Sequence, residues 1–127
     1  MTLSPPRIFV VDDNHDSADI LAEILRFKGF DVHVAYDGTQ AIAMANGIPP
    51  DVVFLDLGMP GLDGYAVARA LRARHGPYVH IVALTAWSDA ATLAKVDEAG
   101  FDRHLAKPSN LDTIVAIIAA SMPARRA

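Results

Sequence analysis

Short apolar runs alternate along the chain with longer stretches in which apolar residues recur at helical spacing. The runs at 8–11, 52–55 and 79–84 are almost entirely apolar, which is typical of parallel strands covered on both faces. The runs at 32–34 and 101–105 are interrupted by polar residues, which is typical of half-exposed edge strands. We therefore predict five strands alternating with five helices, the pattern of a βαβ architecture.

The order of these strands follows from their predicted exposure. Because the second and fifth strands have the composition of edge strands, the three apolar strands should lie between them. That arrangement matches the flavodoxin-like order 2-1-3-4-5, a doubly wound (βα)5 three-layer sandwich of the α/β class. In such a sheet the topological switch point lies between strands one and three, where a ligand site is expected.

The helical stretches carry start and stop signals. Asn14 can cap the first helix, and Gly29 can end it in the left-handed conformation. The fourth helix, at about 88–99, is rich in alanine, and we expect it to be the least firmly held. Four apolar residues of the first helix are predicted to share its inward face: Ile20, Leu21, Ile24 and Leu25.

Polar residues follow four of the predicted strands at the point where each strand ends. Asp12 and Asp13 come after the first strand and Asp56 after the third. Thr85 comes after the fourth and Lys107 after the fifth. Since the carboxyl ends of parallel strands meet at one edge of the sheet, these side chains should share one pocket. The sequence therefore predicts three carboxylates, a hydroxyl and an ammonium in a single site.

Three carboxylates brought together repel one another and raise each other's pKa unless a cation neutralises them. The candidate ligands are oxygens, without cysteine or clustered histidine, so a hard divalent ion is favoured: Mg²⁺ first, with Mn²⁺ as a substitute. With such an ion bound, Asp56 becomes the candidate nucleophile toward phosphorus. Lys107 would pair with the phosphoryl group, and Thr85 would donate a hydrogen bond to it.

Length and composition restrict the remaining possibilities. At 127 residues, 52% hydrophobic and 20% charged, the chain is expected to form one domain over 1–127, with its core at about 7–121 and no output domain. No apolar run is long enough for a membrane span or a secretory signal, so we expect a cytoplasmic location without membrane contact. The net charge of −4 argues against direct binding of nucleic acid. The absence of cysteine excludes disulfides and thiol chemistry.

Several motifs occur together in the order and setting of one known family. Each of them alone would be weak, because an Asp pair after a strand is usually a solvated turn or a helix cap. In combination, and over about the full length of the chain, they resemble the receiver domain of two-component response regulators. The segments that carry the resemblance are Asp12-Asp13, Asp56-Leu57-Gly58-Met59-Pro60-Gly61-Leu62-Asp63-Gly64, Thr85-Ala86, Ala99-Gly100-Phe101-Asp102 and Leu105-Ala106-Lys107-Pro108.

The resemblance implies a phosphorylation-dependent signalling switch. Asp56 would accept a phosphoryl group from a histidine kinase or a histidine phosphotransfer protein. Asp12 or Asp13, Asp56 and the backbone carbonyl of Gly58 would hold Mg²⁺. The protein would be a regulatory domain that catalyses only its own phosphotransfer and dephosphorylation, as a stand-alone regulator, a relay carrier or the receiver of a hybrid kinase. Its downstream protein target would contact the face formed by helix four, strand five and helix five.

Three further positions bear on switching. Receivers usually carry Tyr or Phe three residues before the lysine, as an aromatic that moves inward when Thr85 engages the phosphoryl group; this chain has His104. An imidazole titrates near neutral pH, which suggests pH-sensitive coupling. Trp87 is bulkier than many residues at its position and could shield the phosphoryl group or contact a partner. The resemblance also implies a cis bond before Pro108.

Other readings fit the residues less well. A small phosphohydrolase would need a spare general base, and a flavin-binding module would need a Ser/Thr/Gly-rich loop after the first strand in place of the acidic one. A pseudo-receiver that only binds proteins would not need the complete site. The segment 12–23 approaches an EF-hand loop, but Ser17 replaces the glycine of its turn. The segment 37–39 resembles part of a haloacid-dehalogenase motif, but Ala35 occupies the place of its nucleophile.

Overall fold

The computed structural model describes residues 5–59, 61, 63–86, 90–107 and 110–126. Strands and helices alternate through these ranges, as predicted, and no helix within them is both long and apolar enough to cross a membrane. The strands are β1 (Arg7–Val11), β2 (Asp31–Ala35), β3 (Val52–Asp56), β4 (His80–Thr85) and β5 (Arg103–Ala106). The helices are α1 (His15–Phe27), α2 (Gly38–Gly47), α3 (Gly64–His75), α4 (Ala90–Glu98) and α5 (Leu111–Arg126), with a 3₁₀ helix at Gly76–Tyr78.

The five strands form one parallel sheet in the order β2-β1-β3-β4-β5, which confirms the predicted flavodoxin-like order. Val11 at the end of β1 is in register with Ala35 of β2 and with Leu55 of β3. Asp56, one residue further along β3, pairs with Leu84 of β4. The carboxyl ends of the three central strands therefore lie side by side at one edge of the sheet.

Alternate residues of the central strands point to opposite faces of the sheet. Phe9, Val53 and Ile81 belong to a buried cluster that includes residues of α2, α3 and α4. Phe54 and Val82 belong to a second cluster, which includes residues of α1 and α5. The sheet is thus covered by three helices on one face and two on the other, which confirms the predicted three-layer sandwich.

The inward face predicted for α1 is wrong in part. Ile20 is 58% exposed and Ile24 is 37% exposed, whereas Leu25 is fully buried. The other buried residues of this helix are Ala18 and Ala22. Because their side chains are small, the backbone of α1 can approach the sheet closely, and the face that contacts the sheet is rotated away from the larger isoleucines. The apolar stripe of α1 is therefore wider than its buried face.

Both predicted caps of α1 are present. The Oδ1 atom of Asn14 accepts a hydrogen bond of 3.0 Å from the backbone N–H of Ser17, which satisfies one of the free donors at the helix start. Gly29 has a φ angle of +99°, and its N–H donates to the carbonyl of Arg26. A residue with a side chain would be strained in this left-handed conformation, so glycine suits the end of the helix.

Helix α4 contributes little to the core. Val96 is its one buried residue, and Leu93, its other large apolar residue, is half-buried. The helix also begins beyond 87–89, which lie outside the described residues. The expectation that α4 is the least firmly held helix stays a prediction, because hydrophobic burial is only one part of the free energy that holds it.

Candidate functional site

Three carboxylates converge at the edge of the sheet where β1 and β3 end. Asp12 follows β1 and is 4% exposed, and Asp56 is the last residue of β3 and is 8% exposed. Asp13, the next residue along the chain, is exposed. One oxygen from each of the three lies within 4.8 Å of the others. The adjacent registers of β1 and β3 therefore produce an acidic cluster with two buried members and one member open to solvent.

The ammonium group of Lys107 lies between the two buried carboxylates. Its Nζ atom is 3.3 Å from Oδ2 of Asp12 and 3.3 Å from Oδ1 of Asp56. The backbone N–H of Lys107 donates to the carbonyl of Thr85 at 2.8 Å, which continues the pairing of β5 with β4. The structure thus brings together residues that lie 95 positions apart in the sequence.

The electrostatics of the cluster reflect burial as well as pairing. Burial is the largest influence on Asp12 and raises the pKa of its carboxyl, although the Asn14 N–H and Lys107 both act in the opposite direction. Burial alone would lower the pKa of Lys107, but the negative charges of Asp56 and Asp12 outweigh it, so the pKa is raised. Lys107 is therefore held in its charged form, while Asp12 carries a charge that is incompletely compensated.

Backbone donors from the loops after β1 and β3 fix the two buried carboxylates. The N–H of Asn14 donates to Oδ1 of Asp12 at 3.0 Å, and the N–H of Gly58 donates to Oδ1 of Asp56 at 3.1 Å. Each bond joins residues two positions apart, so each loop turns back over its own strand end. A Cβ atom at Gly58 would lie 3.7 Å from Oδ1 of Asp56, which is ordinary contact. The position therefore tolerates small side chains sterically.

Asp56 lines a pocket of about 280 Å³. Thr85, 2% exposed at the end of β4, contributes to this pocket, as predicted. Tyr65 and Thr92, which the sequence analysis missed, also line it. Tyr65 belongs to the first turn of α3, and helices that follow the central strands begin near the strand ends. That placement is the signal that could have identified Tyr65. The full lining is Asp56, Leu57, Gly58, Tyr65, Thr85, Ala86, Thr92 and Lys107.

The donor set fits a hard divalent cation. The cluster offers only carboxylate oxygens, two of them on buried side chains whose mutual repulsion a cation would relieve. The exposed Asp13 leaves one side of the cluster open, so bound water or a phosphate oxygen could complete the coordination shell. The acidic cluster is therefore a candidate site for a metal ion.

The other residues predicted from the sequence are Gly58, His104, Trp87 and Pro108. Gly58 lies beside Asp56, and the use of its carbonyl as a metal ligand stays a prediction. His104 is in β5 and is exposed, and its switching role is likewise untested. Trp87 and Pro108 lie outside the described residues, and so does the predicted cis bond.

Fold and site together define a class: a doubly wound α/β protein with an acidic, lysine-paired pocket at its topological switch point. The family model described as the response regulator receiver domain matches residues 8–119. The chain belongs to the response regulator receiver domain family, as the sequence motifs predicted.

Two named relatives illustrate the match. The DNA-binding response regulator MtrA of Mycobacterium tuberculosis is 42% identical over 116 residues, which cover 91% of this chain and 50% of the relative. The transcriptional regulatory protein PrrA of Mycobacterium leprae is 40% identical over 125 residues, which cover 98% of this chain and 53% of the relative. The chain thus spans about half the length of these relatives.

Solved structures give the same result. The receiver domain of the Francisella response regulator 1452 superposes with a TM-score of 0.83 at 27% identity, covering 91% of this chain and 95% of that one. A response regulator protein from Burkholderia pseudomallei superposes with a TM-score of 0.82 at 28% identity, covering 96% and 73%. The Burkholderia structure contains a phosphorylated aspartic acid, a calcium ion and citrate.

Proposed function

We propose that this chain is a phosphorylation-dependent switch in which Asp56 accepts the phosphoryl group. The observation that carries the proposal is the position of Lys107. Its ammonium lies 3.3 Å from both Asp56 and Asp12, and Lys107 and Asp56 line a pocket large enough for a phosphoryl group. A nucleophilic carboxylate, a cation and a hydroxyl in one pocket form the set that phosphoryl transfer needs, because that reaction depends mainly on positioning and charge stabilisation.

In the proposed reaction an oxygen of Asp56 attacks the phosphorus atom of a phosphohistidine. The new O–P bond forms as the P–N bond breaks, and the electron pair of that bond stays with the departing imidazole. Lys107 shifts from the Asp56 carboxylate to an oxygen of the phosphoryl group, and Thr85 donates its hydroxyl hydrogen to another. The product is a mixed anhydride on Asp56, whose hydrolysis returns the switch to its first state.

Asp12, Asp13, Asp56 and the Gly58 carbonyl would hold Mg²⁺, with Mn²⁺ as a substitute. When bound, the ion offsets the negative charge that carboxylates and phosphoryl oxygens bring to one place. The Burkholderia relative supports this arrangement, since its structure combines a phosphorylated aspartic acid with a divalent ion. A regulatory role, rather than turnover of a substrate, accords with membership of the receiver family.

The proposed phosphodonor is a histidine kinase or a histidine phosphotransfer protein. A groove of about 570 Å³ leads along α1 and α5 to Asp12 and Lys107. Ile20 and Ile24 of α1 form one apolar wall of the groove and are exposed to solvent. A donor helix could cover these residues while its phosphoryl group reaches the site. We place this encounter in the cytoplasm.

The proposed output is a protein contact on the face formed by α4, β5 and α5. Residues 1–127 would act as one receiver domain. The net charge of −4 disfavours direct contact between this domain and nucleic acid. The relatives named as DNA-binding or transcriptional regulators are about twice as long as this chain, so their names do not assign that contact to the part they share with it.

Intact-mass measurement after incubation with acetyl phosphate and Mg²⁺ tests the proposal. We expect one phosphoryl adduct on the wild type, and none on Asp56→Asn or in the presence of EDTA. Asp16→Asn, which removes an exposed carboxylate outside the acidic cluster, is the matched control and should retain the adduct. An adduct that persists in Asp56→Asn, or a wild type that stays unmodified under rapid quenching, would contradict the proposal. Sustained release of phosphate at enzymatic rates would favour a phosphohydrolase instead.

A further inference from the structure

Tyr65 connects the 280 Å³ pocket beside Asp56, called the phosphoryl pocket below, with the segment that joins α4 to β5. Tyr65 lines the pocket, and its ring lies edge-to-face against Phe101, with 6.3 Å between the ring centroids and an interplanar angle of 89°. Phe101 is 7% exposed and lies between the two elements, where its N–H donates to the carbonyl of Val96. A single aromatic pair therefore spans from the candidate reaction site to the end of α4.

Helix α3 also holds the residues on either side of Phe101. Arg72 lies seven positions after Tyr65, which places both on the same face of the helix. Its guanidinium donates twice to the carbonyl of Gly100, at 3.1 and 2.7 Å, and once to Oδ2 of Asp102, at 2.6 Å. Charge-assisted bonds of this kind are short and directional. The segment 100–102 is thus fixed to α3 by one arginine and by one pair of rings.

Helix α4 has different surroundings at its two ends. Near its C-terminus the chain passes directly into the 100–102 segment held by α3, whereas Thr92, near its N-terminus, lines the phosphoryl pocket. Between them, Val96 is the one buried side chain of the helix. A helix that is held at one end and buries a single side chain along its length can change its orientation by pivoting about the held end.

The position that carries Tyr or Phe in other receivers holds a histidine here. His104 has an imidazole in place of the Tyr or Phe of other receivers, and it is exposed on the edge strand β5. Among the described residues that line the pocket, Tyr65 is the aromatic one. A phosphoryl group on Asp56 would occupy space in the pocket that this residue lines and change its contacts.

We propose that Tyr65 is the positioning residue that couples occupancy of the phosphoryl pocket to the orientation of α4, which pivots at residues 100–102. This inference rests on the proposed phosphorylation of Asp56. Tyr65 lines the pocket and its ring packs against Phe101, so a state in which Tyr65 has moved differs in its packing at residues 100–102. Phosphorylation then selects the α4 orientation whose packing is compatible with the new ring position.

Hydrogen exchange of residues 90–106, measured with and without acetyl phosphate and Mg²⁺ and paired with intact mass on the same samples, tests the inference. We expect a phosphorylation-dependent change in exchange in the wild type. In Tyr65→Leu the change per phosphorylated molecule, with the phosphorylated fraction taken from intact mass on the same sample, should become about threefold smaller, because the edge-to-face pair is lost. Tyr65→Phe, which keeps the ring, should behave like the wild type. The matched control is Tyr78→Leu, since Tyr78 is 68% exposed and does not line the pocket.

Phe101→Leu removes the other ring of the pair and provides a second route to the result if Tyr65→Leu folds poorly. The double variant should lose no more of the change than either single one, as expected for residues that act through one contact. A full exchange response in phosphorylated Tyr65→Leu or Phe101→Leu would overturn the inference while leaving the proposed function intact. An absent adduct in the wild type would overturn both, and a lost response in Tyr65→Phe would show that the ring contact is not the route.

Discussion

His80 is a titratable residue whose surroundings favour its neutral form. Its Nε2 atom is buried without a hydrogen-bond partner among the described residues, and its Nδ1 atom lies 3.9 Å from Oδ2 of Asp102. Burial is the largest influence and lowers the pKa of the imidazole below its ordinary 6.5, although the charge of Asp102 opposes this shift. The effect of burial on the pKa of His80 therefore outweighs the attraction of the Asp102 carboxylate for a protonated imidazole.

This balance predicts a pH-dependent stability. Because the unfolded chain binds the His80 proton more tightly than the folded one, the stabilisation from neutral His80 is present above the ordinary pKa and is lost as the pH falls below it. We expect the urea midpoint to drop between about pH 7.5 and about pH 5, and to drop less in His80→Gln, which does not titrate. A larger drop in His80→Gln than in the wild type would mean that the ion pair with Asp102 dominates.

The residues of the site differ in how far the sequence could reveal them. Asp12, Asp56 and Lys107 could be predicted to meet because each follows a strand of a parallel sheet, and strand ends converge whatever the details of packing. The contacts of Tyr65 and Arg72 with the 100–102 segment could not be predicted in the same way. These contacts depend on which face of α3 meets the 100–102 segment, and helical periodicity does not reveal the partner of a face.

At the scale of elements, the junction between β3 and α3 depends on a close backbone approach. A Cβ atom at Gly64, the first residue of α3, would lie 2.7 Å from the backbone oxygen of Asp56 and 2.9 Å from the Cα atom of Leu57. Both neighbours are backbone atoms, so neither can move away without shifting the strand end that carries Asp56. Glycine at this position therefore sets the distance between the helix and the candidate nucleophile.

Gly64→Ala should accordingly damage both the fold and the site. We expect a loss of about 1–3 kcal/mol in the free energy of unfolding, together with slower phosphorylation of Asp56, because the shifted strand end moves the carboxylate relative to Lys107. Chemical denaturation and the rate of adduct formation by intact mass would measure the two effects. Gly47→Ala is the matched control, since a Cβ there meets nothing within 4 Å and the residue is helical. Equal stability of the two variants would contradict the steric argument.

The elements themselves show where sequence patterns are reliable. Strand composition distinguished the edge strands from the central strands correctly, because the burial of a parallel strand is set by whether helices cover both faces. The same kind of reasoning failed for α1, where Ile20 and Ile24 are exposed and the small residues Ala18 and Ala22 face the sheet. Hydrophobicity alone ranks isoleucine above alanine, but close packing of a helix on a sheet favours small side chains at the point of contact.

At the scale of the whole molecule, the candidate metal site links folding to ligand binding. Its ligands come from the ends of β1 and β3, so the site exists only when the sheet is assembled. An ion that binds the folded chain and not the unfolded one stabilises the fold by an amount that grows with the logarithm of its concentration. The raised pKa of the Asp12 carboxyl indicates that the buried charge is incompletely compensated by Lys107, and this leaves a favourable place for a cation.

We therefore expect Mg²⁺ to raise the unfolding temperature of the whole domain above that measured in EDTA. The free energy of unfolding should increase by about 2.7 kcal/mol at a Mg²⁺ concentration one hundred times the dissociation constant. Asp13→Asn should reduce this gain, and without metal it should leave the stability unchanged or slightly raised, because it relieves repulsion within the acidic cluster. Asp16→Asn removes an equal charge outside the cluster and should keep the full gain, which separates binding at the site from general screening. An identical gain in both variants would mean that Mg²⁺ stabilises the fold elsewhere than at the end of β1.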